Sequence, residues 1–129
     1  MKELIGKKIL KIELNDNNNI MIFTLEDFSK VGYQAEGDCC SSSWFNGING
    51  VQNLLGAEVL DYVTKVEREE NDGEIRYYGF TLMTSKGSCD IDFRNDSNGY
   101  YGGSCEYMGK TNITDTRFIV QDFFSENNG

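Results

Sequence analysis

Two short stretches hold most of the side chains able to do chemistry. The first, Glu36-Gly37-Asp38-Cys39-Cys40-Ser41-Ser42-Ser43-Trp44-Phe45, gathers acids, two thiols, three hydroxyls and the chain's one tryptophan. The second, Arg94-Asn95-Asp96-Ser97-Asn98-Gly99-Tyr100-Tyr101-Gly102-Gly103, combines a guanidinium, amides, small residues and adjacent tyrosines. Glycine-rich backbone amides can nest an anion. Trp44, Tyr100 and Tyr101 can stack on a planar ligand. Arg94 can grip a phosphate or carboxylate as a fork. The candidate ligand-binding residues are therefore Asp38, Cys39, Cys40, Trp44, Arg94, Asn95, Asp96, Asn98, Tyr100 and Tyr101. The same residues also suit structured turns, with Asp38 and Asp96 capping their own backbone and the aromatics closing the ends of a core.

Catalytic equipment is sparse. The chain has no histidine, which excludes Ser-His and Cys-His nucleophiles. It has no phosphate-binding or dinucleotide-binding glycine motif. Asp90 and Asp92 alternate on a predicted strand and share a face, with no proton partner in view for a paired-carboxylate hydrolase. Read as a calcium loop ending its turn at Gly99, the second stretch would put Arg94 where the first acidic ligand belongs. Vicinal Cys39-Cys40, with Cys89 and Cys105 far away, lacks zinc-knuckle spacing and predicts reduced, buried thiols. The expectation is a binding protein rather than an enzyme, with no metal and no cofactor.

The elements that must position these stretches come in two copies. Leu4-Ile5-Gly6-Lys7-Lys8-Ile9-Leu10 aligns with Leu54-Leu55-Gly56-Ala57-Glu58-Val59-Leu60. A polar turn follows each, then Phe23-Thr24-Leu25 against Phe80-Thr81-Leu82. Val31, Tyr33 and Ala35 then match Cys89, Ile91 and Phe93, and each copy closes on an aspartate-led loop. This shared order points to duplication, with units at about 4–45 and 54–107. Within each unit the apolar residues alternate with period two: Leu10, Ile12 and Leu14 in one, Leu60, Tyr62, Thr64 and Val66 in the other. Segment 20–25 is apolar on both faces and belongs in the middle of a sheet. The predicted fold is mainly β (α+β): two tandem three-stranded antiparallel meanders related by a pseudo-two-fold, in one domain over 1–129. Two such meanders can pair edge to edge or curl into a small barrel. Ile48, Val51, Leu54 and Leu55 fall at helical spacing before Gly56, so a short helix is expected between the units, with a similar turn before Ile5. Residues 108–129 form an extension whose apolar part, 116–124, fits a seventh strand or a short helix.

Formal net charge is −9 and the isoelectric point is about 4.4. Such acidity opposes direct nucleic-acid binding, which needs lysines and arginines to neutralise phosphates. It also opposes anionic membranes. It serves solubility, and it suits a surface that imitates nucleic acid and fills a basic cleft. The candidate acidic partner face is Glu67, Glu69, Glu70, Asp90, Asp92 and Asp96. No apolar run approaches the ~20 residues of a membrane span, and Met1-Lys2-Glu3-Leu4-Ile5-Gly6 lacks the core of a signal peptide, so the expected location is a cytoplasm. Edge strands left open by two meanders predict a homodimer.

The motifs GDCCSSSWF (Gly37 to Phe45) and FTLMTSKGSCDIDFRNDSNGYYGGS (Phe80 to Ser104) resemble a small uncharacterised domain family common in bacteriophages and prophages, over roughly residues 4–107. The resemblance implies a phage-type accessory protein in the host cytoplasm. An anti-defence inhibitor that binds stoichiometrically is the expected role. Its partner would be a host defence protein, such as a nucleic-acid-binding nuclease blocked by the acidic face, as with anti-CRISPR-like inhibitors. The alternative is a sponge that sequesters a small nucleotide-derived immune signal, with Arg94, Asn95, Asn98 and Tyr100 as its contacts. A structural or oligomeric phage module is the third reading.

Overall fold

The computed structural model describes residues 1–37, 42–70, 75–96 and 103–124, without the side chains of 36–37, 42, 65–70, 75–77, 96 and 103–104. The chain opens with a 3-10 turn (Lys2–Leu4) and a first meander: β1 (Ile9–Asn15), β2 (Ile20–Leu25) and β3 (Lys30–Gly37). β4 (Ser42–Asn49) and the one-turn helix α1 (Val51–Leu54) follow. A second meander comprises β5 (Val59–Glu70), β6 (Ile75–Thr84) and β7 (Gly87–Asp96). β8 (Gly103–Lys110), β9 (Thr116–Phe118) and β10 (Phe123–Phe124) complete the chain.

Both turns of the first meander have a local cause. In the β1–β2 turn the Asn15 side-chain oxygen accepts from the Asn19 and Ile20 amides, both at 2.9 Å, and Asn18 takes φ 58°. Asparagine tolerates that left-handed conformation better than most residues. In the β2–β3 turn Asp27 accepts from the Ser29 amide at 3.0 Å and its hydroxyl at 2.6 Å.

The meanders do not pair edge to edge, and they close no barrel. Each anchors its own five-stranded antiparallel sheet, ordered β8-β3-β2-β1-β9 and β10-β4-β7-β6-β5. Each unit also has a fourth strand, which crosses over. β4 leaves the first unit to pair with β7, and β8 leaves the second to pair with β3. Inner faces of both sheets meet in a single core, with Met21, Phe23 and Tyr33 from one and Phe45, Leu82 and Ile91 from the other.

The pseudo-two-fold is visible in backbone hydrogen bonds. Gly6 N–H donates to the Val59 carbonyl, and Gly56 N–H to that of Ile9. Ile9 N–H donates to Ala57, and Val59 N–H to Lys7. Every pair maps onto the other by a shift of fifty residues, with the Lys8–Glu58 bridge between them. Gly6 and Gly56 take φ +82° and +76°, which is why both copies keep glycine there. The 3-10 turn at Lys2–Leu4 is the counterpart of α1, as the repeat predicts. Rings obey the same symmetry. Tyr33 lies 5.8 Å from Phe23 and 5.3 Å from Tyr107, while Phe93 lies 5.7 Å from Phe80 and 6.2 Å from Phe45.

Three sequence expectations shift by small amounts. Phe23 pairs with Val31, and Phe80 with Ile91, so the partner of Val31 in the repeat is Ile91, not Cys89; the arms of the β6–β7 hairpin run further past that pair before they turn. Bulges at Leu10 and Leu60 throw those leucines out of the alternation, and Ile9 and Val59 fill the core instead. The helix is also shorter than its spacing suggested: Ile48 belongs to β4, and only Val51–Leu54 is helical.

The segment 116–124 is neither one strand nor a helix. After β8 the Thr111 amide donates to the Lys30 carbonyl on β3, and the Thr116 hydroxyl donates to Glu13 on β1 at 2.6 Å. The chain therefore crosses the outside of the first sheet above β2. This explains why Ile22, which points away from the core, is fully buried. β9 then extends β1, Ile119 enters the core, and β10 extends β4 of the other sheet. The extension straps both sheets together.

Candidate functional site

β7 separates two chemistries by strand alternation. Cys89, Ile91 and Phe93 point into the core, and Asp90, Asp92 and Arg94 point outward. On β4, Asn49 stands opposite Asp90, Gly47 opposite Asp92 and Trp44 opposite Arg94. On β6, Thr81 stands opposite Asp90 and Gly79 opposite Asp92. The Thr81 hydroxyl donates to Asp90 at 2.6 Å and fixes its orientation. Asp92 stands between two glycines, Gly47 and Gly79.

The strap builds the other wall. Phe124 pairs with Gly47 on the edge of β4. A Cβ on Gly47 would come within 2.9 Å of the Phe123 carbonyl and 3.0 Å of the Phe124 ring, so glycine is what admits the strap. The Phe124 ring lies 5.0 Å from the Arg94 guanidinium, a cation–π distance. Arg94 Nη2 is 3.4 Å from Asp92 Oδ2. Asp122 accepts the Gly50 and Val51 amides at 2.9 and 2.8 Å, capping α1. Asp90, Asp92, Asp122, Asn49, Phe123 and Phe124 thereby enclose a groove of about 430 Å³ together with Gly47 and Ile48.

Three carboxylates face this groove and one guanidinium flanks it. Among the described residues no group of three or more acidic or thiol side chains is close enough to hold a metal ion. The carboxylates are instead spread along the groove beside exposed aromatic surface. Asp90 and Asp92 stand ~6.7 Å apart by strand rise. Carboxylates beside ring surface have the chemistry to take an extended organic cation, its charge on the carboxylates and its aliphatic stem or planar head on the ring.

Of the residues singled out from sequence, Asp90, Asp92 and Arg94 come together here, and Trp44 stands across from Arg94. Arg94 is only 5% exposed. Asn95 is fully buried, and its amide donates to Ser43 at 2.9 Å. Trp44 donates from its indole to Asn46 at 3.1 Å. Asp38, Cys39, Cys40, Asn98, Tyr100 and Tyr101 lie outside the described residues, as do the side chains of Glu67, Glu69, Glu70 and Asp96. The strands that carry the two loops do end side by side: Gly37 pairs with Gly103, and Ser42 with Asp96. Burial pushes the Cys89 and Cys105 thiols up to about 12, so both are protonated at neutral pH and poor nucleophiles.

Sequence reading missed Asp122 and Phe124. Asp122-Phe123-Phe124, an acid leading two rings inside an apolar tail, is the signal that marks them.

Among the described residues no helix is long and apolar enough to cross a membrane. No curated protein and no solved structure matches the chain. One family model matches residues 2–107, so β9, β10 and the strap wall of the groove lie beyond the matched region. By that match the chain belongs to the family described as Domain of unknown function (DUF7448).

Proposed function

We propose that this protein works by stoichiometric binding and without catalysis, its second sheet seating a basic segment of a partner protein in the acidic groove. The observation that carries this reading is the outward row Asp90 and Asp92, widened by Asp122 and floored by Phe124. The net charge of −9 extends the same preference over the surface. The lysine- and arginine-rich segments that line a nucleic-acid channel are partners of this kind, and carboxylates presented in series can engage them in place of phosphates. With the resemblance to phage and prophage domains, this makes an anti-defence inhibitor of a host nuclease the favoured role.

The test is competition. The purified protein should displace a labelled duplex from a host nuclease with a basic channel, and the displacement should weaken as salt rises. Reversing both charges in D90K/D92K should weaken it at least tenfold. Displacement that ignores salt, or that survives the double reversal, refutes the reading.

A second reading rests on the paired strand ends. The strand ends that flank both singled-out loops lie side by side, Gly37 with Gly103 and Ser42 with Asp96. The aromatic and amide residues that the sequence of these loops carries suit a nucleotide-derived signal. Incubation with such signals, filtration and denaturation should then release the intact small molecule, and replacing Tyr100 or Asn98 should abolish that release while D90K/D92K leaves it intact.

A further inference from the structure

The longest described strand has an edge that no described segment covers past its first residue. β5 spans twelve residues and ends its sheet. Its first residue is covered, because the Val59 carbonyl accepts from Gly6. Past Val59, no described segment pairs with that edge. On it the Tyr62 amide donates to the neighbouring Asp61 carboxylate at 2.8 Å, a surface contact that a pairing strand would replace; a row of amides and carbonyls this long is otherwise a template for another strand. Leu60 and Val63 on β5, and Met83 beside them on β6, are 54%, 47% and 42% exposed, so the surface next to the edge is apolar.

Bulges frame the edge, one at Leu60 and one between Lys65 and Arg68. Between them Asp61-Tyr62-Val63-Thr64-Lys65 keeps unbroken register with β6. These five residues are complementary to themselves. Antiparallel pairing centred on Val63 sets Val63 opposite its own copy, Tyr62 opposite Thr64 and Asp61 opposite Lys65. Two-fold symmetry makes the last two pairs twice. An aromatic against a branched residue and a cation against an anion are the favourable cross-strand combinations. Moving the register by one residue sets Lys65 against Tyr62 and leaves Asp61 without a cation, so only the centred register satisfies both charges. The other edges compete poorly. β8 is broken by a bulge at Met108, and β9 and β10 have three and two residues.

We infer that β5 pairs antiparallel with β5 of a second copy of this chain, centred on Val63, to form one continuous ten-stranded sheet. The occupant is a second copy because the charge pattern answers itself. The acidic groove lies at the opposite end of the sheet, between β10 and β7, so both grooves of the dimer stay open and the inference does not depend on what they bind.

The test is a charge swap followed by sedimentation over a concentration series. The wild-type protein should dimerise. D61K and K65D each set like charges opposite one another twice, and each should weaken the dimer about tenfold or more. The double variant D61K/K65D restores both attractions and should return to the wild-type constant. V63K sets two ammonium groups together on the two-fold axis and should weaken the dimer in either background. Circular dichroism of each variant checks that these surface changes leave the fold intact. A wild-type protein that stays monomeric, single reversals that dimerise as the wild type does, or a double variant as weak as the singles overturns the inference.

Discussion

Deleting residues 111–129 is expected to remove at least ~4 kcal/mol of stability, although the family match ends at residue 107. Ile119, at 6% exposure, leaves the core, and refilling its place is worth ~2–3 kcal/mol. Ile22 loses its cover on the outside of β2 and returns to water, a further ~1.5–3 kcal/mol. Asp122 no longer caps Gly50 and Val51, and Glu13 loses the Thr116 hydroxyl. An ordinary domain has only ~5–15 kcal/mol in total. The truncated protein should therefore unfold at a much lower urea midpoint, and it should bind a dye for exposed apolar surface in buffer. Ile119→Ala alone should cost ~2–4 kcal/mol. A truncated protein with the full-length midpoint would show that the strap is only decoration.

The second large effect is expected at Phe93. Its ring stacks on Tyr78 at 4.9 Å and Phe80 at 5.7 Å, and meets Phe45 of the crossed-over strand at 6.2 Å. Phe93→Ala empties a site that three rings enclose and should cost ~3–5 kcal/mol. For a domain of this size that is a fall of roughly 10–20 °C in Tm. Phe93→Leu, which keeps most of the volume, should cost less than half as much. Thermal unfolding followed by circular dichroism decides it. A small loss for Phe93→Ala would mean that the two sheets do not share the core described for them. The pseudo-symmetric Tyr33 offers a comparison, because its hydroxyl donates to Glu3 at 2.9 Å. Burial, and then that bond, raise the Tyr33 phenol well above its usual range, so it is a neutral donor at any physiological pH.

The meanders were legible because their cores follow a period of two with few interruptions, and because both copies keep Leu-x-Gly at the same place. The fourth strands were not. In β4 the bulge at Asn46 puts Phe45 and Ile48 three residues apart, so Ile48 falls into step with Val51 and Leu54 and imitates a helix. β8 carries the equivalent bulge at Met108. The same crossing sent the predicted site in two directions. Asp90, Asp92 and Arg94 were readable from alternation on one strand. Their neighbours Gly47, Asp122 and Phe124 come from β4 and the strap, tens of residues away, and only the pairing of distant strands could reveal them.

The crossed fourth strands also govern how the molecule must be made. Tyr33 on β3 finds its partner Tyr107 on β8 more than seventy residues later. A ribosome extending the chain at about 5–20 residues per second therefore leaves the β3 flank unsatisfied for roughly 4–15 s, and the β1 flank somewhat longer, until β9 emerges. During that interval the amino-terminal half is a sticky nascent fragment with Val31 and Tyr33 uncovered. Synthesis speed and chaperone supply, more than equilibrium stability, should set how much soluble protein a cell accumulates.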